Sequence, residues 1–559
     1  MSNRLIFLSL SAFFVLFSFS PSLYEIYSYA SHKIPLEREF VLEHNYMFDY
    51  NFYLSRIREG QEGRWTVVEK YYNDSHNGSL IQEFYLLIGK LGGFIGLTPP
   101  AIYHLARLIF GFIFLMMIAG YLEKLFPRKW AIVGYFFIVT AGSFPALVRA
   151  GFFWRFATYM GWWSVIDSLQ RITFIPHILV GQIGLLWLVL KLSNPEKNYF
   201  GWMVWGIVGF LIGVVFPPTL IVVYTILVVL SLLELVEQYK LLTSAKLLKS
   251  WVVKRIFPRV MFFILSVPAL VYLNFIFQIM PWKALSLFDI QHRFIFPYKD
   301  YILALGPMLP LGLMGLIFAL IKKEKKLLPA ISWLVALFLL FKIFENFPQQ
   351  SPLRFTEAAI NIPLGILTTY FFISILRIFG NLNNSLLRKI LPMGVFAVIT
   401  VIILLGLGVM LSMVGWLTDQ AYAKRVGNWL VPLGAELIYP PKDFMEGVYY
   451  LRDKGIKNSV VLGYITAGNY IPAYAGNFVY IGHANTPNED GKEIIAARFF
   501  KGEMGNEEAW QFLKTNHIAY VFLGPQESEL GGINDFGKFY SFLLPIYKNK
   551  RVTIYRVNR

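Results

Sequence analysis

The run IQEFYLLIGKLGGFIGL (81–97) decides how this chain is threaded. It is apolar enough to be mistaken for a membrane crossing. A crossing helix needs about 20 predominantly apolar residues, and this run places Lys90, Gly92 and Gly93 in its middle. Counting it as a crossing also inverts every later segment, which would move all five basic connections to the outer side. It therefore reads as a juxtamembrane or re-entrant segment packed on its neighbours. With it set aside, eleven apolar stretches read as membrane helices, near 5–24, 101–123, 131–148, 172–192, 200–216, 218–236, 258–279, 301–321, 327–345, 358–377 and 391–415. The first begins MSNRLIFLSL, and SFSPSLYEIY after it offers no convincing small-residue cleavage site, so it is expected to stay as an anchor.

Composition agrees with a polytopic chain. Of 559 residues 56% are hydrophobic and 15% charged, too apolar for an ordinary soluble protein. Aromatic residues reach 17%, which suits Trp and Tyr at membrane interfaces. Cysteine is absent, which excludes disulfides, thiolate nucleophiles and Cys-ligated metals. A net charge of +17 raises the question of nucleic acid. Residues 417–559, however, hold 16 Lys+Arg against 14 Asp+Glu, so nearly all the excess lies in the membrane part. It collects in short loops between apolar runs rather than on one basic face, which argues against a nucleic-acid partner.

Those loops set the orientation. EKLFPRK (123–129), KLSNPEKN (191–198), the 237–259 segment with Lys240, Lys246, Lys249, Lys254, Arg255 and Arg259, KKEKK (322–326) and RIFGNLNNSLLRK (377–389) are all expected on the cytoplasmic side, with the amino terminus inside. Four connections then face outward: a long first loop (25–100), the aromatic RAGFFWRFATYMGWWSVIDSLQR (149–171), MPWKALSLFDIQHRFIFPYKD (280–300) and ENFPQQSPLRFTE (345–357). An external region of mixed α/β character follows at 417–559. SVVLGYI and IAYVFLG have the short continuous apolar pattern of buried strands, DFMEGVYYLRDKG and EEAWQFLKTN read as helices, and KRVTIYRV as a last strand. The division is 1–416 membrane, including the 25–100 loop with juxtamembrane helices, and 417–559 external.

The polar inventory is concentrated outside. In EHNYMFDYNFYLSRIREG (43–60), a helix over 47–59 would place Asp49, Tyr53 and Arg56 on one face and Tyr50, Leu54 and Ile57 on another. This predicts an amphipathic helix on the outer leaflet with an acid on its polar stripe. A carboxylate near lipid loses solvation and becomes a better base; the alternative is a solvated aspartate paired with Arg56. Glu43 with Asp49 could hold a divalent cation such as Mg²⁺ or Mn²⁺, although their spacing matches no compact metal motif. Glu43, His44, Tyr53, Arg56, His76 and His177 are candidate acceptor or sugar contacts, with a turn role open for His76 in NDSHNGS and a buried structural role for His177. Asn73 and Asn77 form Asn-x-Ser sequons. Arg354, Arg155 and Arg149 are candidates for binding a phosphate, with headgroup snorkelling or interfacial anchoring as the other reading. Pro217 and Pro218 mark a structural hairpin between two spans. No phosphate loop, HExxH or GxSxG is present, and few charges fall at mid-span.

FDYNFYLSRIREGQEGRW (48–65), FYLLIGKLGG (84–93) and HLARLIFG (104–111) together resemble the GT-C superfamily of integral-membrane glycosyltransferases. More narrowly, they resemble the prokaryotic proteins related to protein mannosyltransferases, aminoarabinose transferases and oligosaccharyltransferase catalytic subunits. The resemblance covers the amino-terminal third; the middle is similar in hydropathy and the carboxy-terminal region in placement. It implies a GT-C-like fold in the plasma membrane. It implies transfer of a sugar from a polyprenyl-phosphate-linked donor to a lipid, glycan or protein acceptor. Asp49 matches the first-loop acid that activates the acceptor, and Arg354 is the best match for an external arginine holding the donor phosphate. Many members carry two acids adjacent or one apart; here Phe48 and Tyr50 flank Asp49, which puts metal dependence in question. The rival readings are a transporter or flippase of polyprenyl-linked glycans and a non-catalytic scaffold with a glycan-binding external domain.

Overall fold

A computed structural model describes residues 3–195, 198–237, 244–348, 350–532 and 535–558. Lys197, Lys240 and Gln349, which belong to connections discussed above, lie outside the described residues. The chain divides into two compact units. One comprises Met1–Ser20, Ala106–Tyr272 and Arg293–Trp416; the other comprises Pro21–Leu105, Leu273–His292 and Leu417–Arg559.

The first unit is helical. Among the described residues, eight helices of the chain are long and apolar enough to cross a membrane: Arg4–Ala30, Pro99–Leu125, Pro176–Ser193, Pro217–Val236, Ala245–Ile276, Lys325–Phe344, Asn361–Gly380 and Ser385–Val426. A ninth is the pair Tyr298–Leu305 and Met308–Ile321, bent by 79°. The bend falls at Gly306, whose φ of +60° combined with ψ of −151° suits only glycine, followed by Pro307. The two remaining expected spans are shorter. Tyr199–Val215 is apolar but has 17 residues. Arg128–Thr140 stops after 13, because the Ala141–Pro145 stretch (AGSFP) cannot continue a helix. The chain instead turns into an antiparallel hairpin of β1 (Ala146–Ala150) and β2 (Phe153–Ala157).

The outer surface of these helices is what a bilayer requires. Ser385–Val426 buries only 22% of its apolar window within the protein, and Val401, Leu404 and Leu411 are more than half exposed. Uncovered apolar surface on that scale would aggregate in water; lipid covers it. The protein is a multi-pass membrane protein.

The second unit contains a five-stranded sheet in the order β4–β3–β5–β7–β6, with β3 (Val460–Leu462), β4 (Phe478–Val479), β5 (Ile518–Leu523), β6 (Leu543–Lys548) and β7 (Thr553–Val557). β3 runs parallel to β4 and β5, and β7 is antiparallel to β5 and β6. Helices Lys442–Lys454 and Asn506–Thr515 occur where their amphipathic patterns predict them. Phe499, Phe500, Phe536, Tyr540 and Tyr555 build a buried aromatic core beside the sheet.

The run that opened the reading belongs to this unit. It forms a helix of only 12 residues, Glu83–Phe94, packed on the loop helix Met47–Gln61. Glycine makes the packing possible. A Cβ on Gly89 would strike the carbonyl of Ile57, and one on Gly60 would strike that of Leu86. The two backbones touch through these paired gaps, a packing device common between helices at membrane depth.

Candidate active site

The first loop is stitched to residues some 400 positions later in the chain. Arg38 donates to the carbonyls of Trp429, Leu430 and Tyr439, and the Glu39 N–H donates to the Pro440 carbonyl. The loop helix Met47–Gln61 lies against the helix Ile465–Tyr474: Asn51 donates to Asn469 at 2.8 Å, Asn469 donates to the Phe48 carbonyl at 3.2 Å, and Arg58 donates to the Ala473 carbonyl at 2.7 Å.

This packing overturns the surface-helix expectation. The helix forms over the predicted residues but is enclosed on more than one face, with Tyr50, Leu54 and Ile57 buried on one side and Phe52, Ser55, Arg56 and Glu59 on others. Arg56 is wholly buried. It donates to Glu59 at 3.0 Å, to Glu69 at 2.6 Å and to the Val68 carbonyl at 2.5 Å, and its guanidinium covers the Phe52 ring. It therefore does not pair with Asp49. Burial holds the Glu59 carboxyl above its usual range, although Arg56 and Lys70 pull it back.

Asp49 sits in the first turn of this helix, where the helix dipole favours a carboxylate. Its side chain is 45% exposed, and its Oδ1 lies 3.4 Å from Nε2 of His483. His483 is buried, stacked on Phe52 with ring centroids 4.6 Å apart and tilted against Tyr71 at 5.3 Å. The sequence reading missed His483, whose setting, YIGHANTPN, gives no periodic or motif signal.

The other candidates sort by partner. Glu43 faces Lys424 at 3.6 Å, and Lys424 also pairs with Glu25 at 2.5 Å; burial raises the Glu43 carboxyl above its usual range despite that attraction. The Lys424 ammonium occupies the place a cation would take beside Glu43. Asp49 instead has His483 as its near neighbour. Among the described residues no group of three His, Cys, Asp or Glu side chains is arranged to hold a metal ion. His44 Nδ1 meets the Tyr103 hydroxyl at 3.0 Å, and Tyr53 stacks on Tyr85 at 4.7 Å. His76 uses both nitrogens internally: Nε2 accepts from the Glu69 N–H at 2.8 Å, and Nδ1 donates to the Asp74 carbonyl at 2.9 Å. Asn73 is buried, with its oxygen taken by Lys492 at 2.6 Å, so that sequon is not open to a glycan.

In the helical unit, Arg354 lies on a short 3₁₀ turn, Pro352–Glu357, begun by Ser351, and pairs with the buried Glu357 at 3.6 Å while its own side chain is 41% exposed. Arg155, on β2, covers the Trp416 ring. Arg149, on β1, donates to the Gly151 carbonyl in the hairpin turn, beside the exposed Phe152, Phe153 and Trp154. His177 is the second residue of the helix Pro176–Ser193 and meets Phe216 edge-on.

No protein-family model matches the chain, and no curated protein matches it by sequence. Solved structures do match. The oligosaccharyltransferase of Archaeoglobus fulgidus in its apo form superposes with a TM-score of 0.54 at 12% identity, covering 94% of this chain and 70% of that one. The same organism's AglB, in complex with an inhibitory peptide and a dolichol-phosphate, gives 0.52 at 13%, with the same coverage. ArnT from Cupriavidus metallidurans, bound to undecaprenyl phosphate, gives 0.50 at 11% over 99% of this chain and 97% of that one. Likeness at these identities establishes the fold alone.

Proposed function

We propose that this chain is a membrane glycosyltransferase that moves a sugar from a polyprenyl-phosphate-linked donor to an acceptor on the outer face of the plasma membrane. The amino terminus is cytoplasmic, and the sheet-containing region faces outward. The observation that carries this reading is Asp49: a half-exposed carboxylate at the start of a rigidly packed helix, in a chain with the GT-C fold. Asp49 takes the proton from the acceptor as its nucleophile attacks the anomeric carbon. The sugar–phosphate bond breaks, and the anomeric centre inverts in this single displacement. A phosphate leaving group departs without a strong general acid, so one carboxylate suffices. The charge developing on that phosphate is assigned to the exposed guanidinium of Arg354, with Arg155 and Arg149 as the other cationic candidates. No step is routed through a metal, because Lys424 already neutralises Glu43.

The test is transfer from a panel of radiolabelled polyprenyl-phosphate sugars to membrane lipids and proteins, using reconstituted wild type, Asp49→Asn and Arg354→Gln. Both variants should fold, and Asp49→Asn should lose at least 100-fold in rate, the lower bound of the usual range for general-base catalysis of about 10²–10⁴. Wild-type transfer should persist in a chelator. Full transfer by Asp49→Asn removes the assigned base. A chelator loss restored by Mn²⁺ would return a cation to Asp49.

A further inference from the structure

Beyond the base itself, we propose that His483 is its positioning residue, fixing which oxygen of Asp49 meets the acceptor. This inference rests on the reading of Asp49 as base. The hydrogen bonding assigns the imidazole tautomer. The backbone N–H of Asn485 donates to Nδ1 of His483 at 3.1 Å. Nδ1 is therefore an acceptor, and in the neutral ring the proton sits on Nε2. Nε2 is the atom 3.4 Å from Asp49 Oδ1.

The ring cannot swing away. Phe52 stacks on it at 4.6 Å and 17°, and Tyr71 leans on it at 5.3 Å. Phe52 lies one turn below Asp49 on the same helix, so the residue that clamps the imidazole moves with the residue the imidazole holds. Tyr71 is fixed in turn, its hydroxyl donating to the Asn469 carbonyl at 3.2 Å. An Nε2–H placed 3.4 Å from Oδ1 favours one rotamer of Asp49 and leaves Oδ2 for the acceptor proton. Such a contact tightens when substrate binds. Positioning of this kind is worth up to about 100-fold in rate, the cost of misplacing a catalytic group by about 1 Å.

Two substitutions separate holding from packing. His483→Phe keeps a ring between Phe52 and Tyr71 but has no N–H. His483→Gln loses the ring and keeps an N–H donor. With the donor panel above, His483→Phe should lower kcat at least tenfold with KM unchanged. His483→Gln should restore most of it, and Asp49→Asn/His483→Phe should be no slower than Asp49→Asn. If His483→Phe is fully active and His483→Gln is not, the role is packing and the proposal falls, while Asp49 stands. If Asp49→Asn is also fully active, the base reading falls with it. A second measurement does not need turnover. In ¹⁵N-histidine-labelled protein in nanodiscs, the imidazole signal lost in His483→Phe should be that of an Nε2-protonated ring and should move in Asp49→Asn. An Nδ1-protonated signal, or one blind to Asp49→Asn, overturns the proposal.

Discussion

Replacing Arg56 by Met should unfold the second unit far more readily than its position on a loop helix would suggest. The guanidinium is fully buried and holds two carboxylates and a carbonyl: Glu59 at 3.0 Å, Glu69 at 2.6 Å and the Val68 oxygen at 2.5 Å. Met fills most of the stem volume but leaves Glu59 and Glu69 buried without a cation. Breaking a buried pair in this way costs about 3–5 kcal/mol. In a cooperative unit of about 250 residues, each kcal/mol lowers the melting temperature by about 2–4 °C, so the expected drop is about 6–20 °C. The assay is thermal unfolding in detergent, with the half-life at fixed temperature as a second readout, since unfolding of such a protein is irreversible. The deficit must also depend on pH. Burial holds Glu59 above its usual range, and Arg56 is the strongest influence pulling it down. Glu83 is pushed up to about 7, by burial and by the charge of Glu59. Without Arg56, folded Glu59 binds its proton more tightly than unfolded Glu59 does. A raised carboxyl contributes its stability below the unfolded value and loses it as pH rises through the folded one. The variant should therefore be closer to wild type at pH 5.5 than at pH 8. Adding Glu59→Gln and Glu69→Gln should recover at least half the loss. A drop under 2 °C at pH 8 would refute the buried-charge argument. An unchanged melting temperature with lost sugar transfer would return Arg56 to the list of substrate contacts.

Two further perturbations test the packing around this site. Gly89→Ala places a Cβ against the carbonyl of Ile57, so it should destabilise by about 1–3 kcal/mol; the gain of about 0.5–1 kcal/mol usual for this change inside a helix would show that the two helices do not touch. In the sheet-containing region, buried Glu527 accepts from the Tyr464 and Gly524 N–H groups, yet burial still raises its carboxyl to about 7. Wild type should lose stability as pH rises from about 4.5 through about 7, and Glu527→Gln should flatten that slope; an unchanged slope would place the titration elsewhere.

Much of the membrane architecture was legible because hydropathy is a local property. Lys90, Gly92 and Gly93 were enough to withhold a crossing from 81–97, and the structure gives that run a short helix. Where local reading erred, a nearby breaker was responsible: the 131–148 run is uncharged and mostly apolar, but Gly142 and Pro145 end its helix and turn it into a hairpin. Strands β3 and β5 carry continuous apolar runs and are legible; β4 has two residues and β6 is interrupted by Pro545, so neither gives a pattern.

The chemistry was legible in part only, and the reason is distance along the chain. Asp49 stands out within its own loop as an acid among aromatics. What sets it apart from a wholly solvated aspartate is His483, whose relevance depends on a fold that brings Asp49 Oδ1 within 3.4 Å of its Nε2. The same long-range packing removed Arg56 from the polar stripe on which helical spacing had placed it. A helical wheel fixes which residues share a face, but it does not say what covers that face. Here the covering segments, Val68–Tyr71 and the helix Ile465–Tyr474, bring their own carboxylates, carbonyls and amides. An arginine that would be a substrate ligand on an open surface becomes, under that cover, a structural cation. The aspartate one helical turn before Phe52 stays at the margin of the cover, with one oxygen beside an imidazole and half its surface open, as the proposed role of base requires.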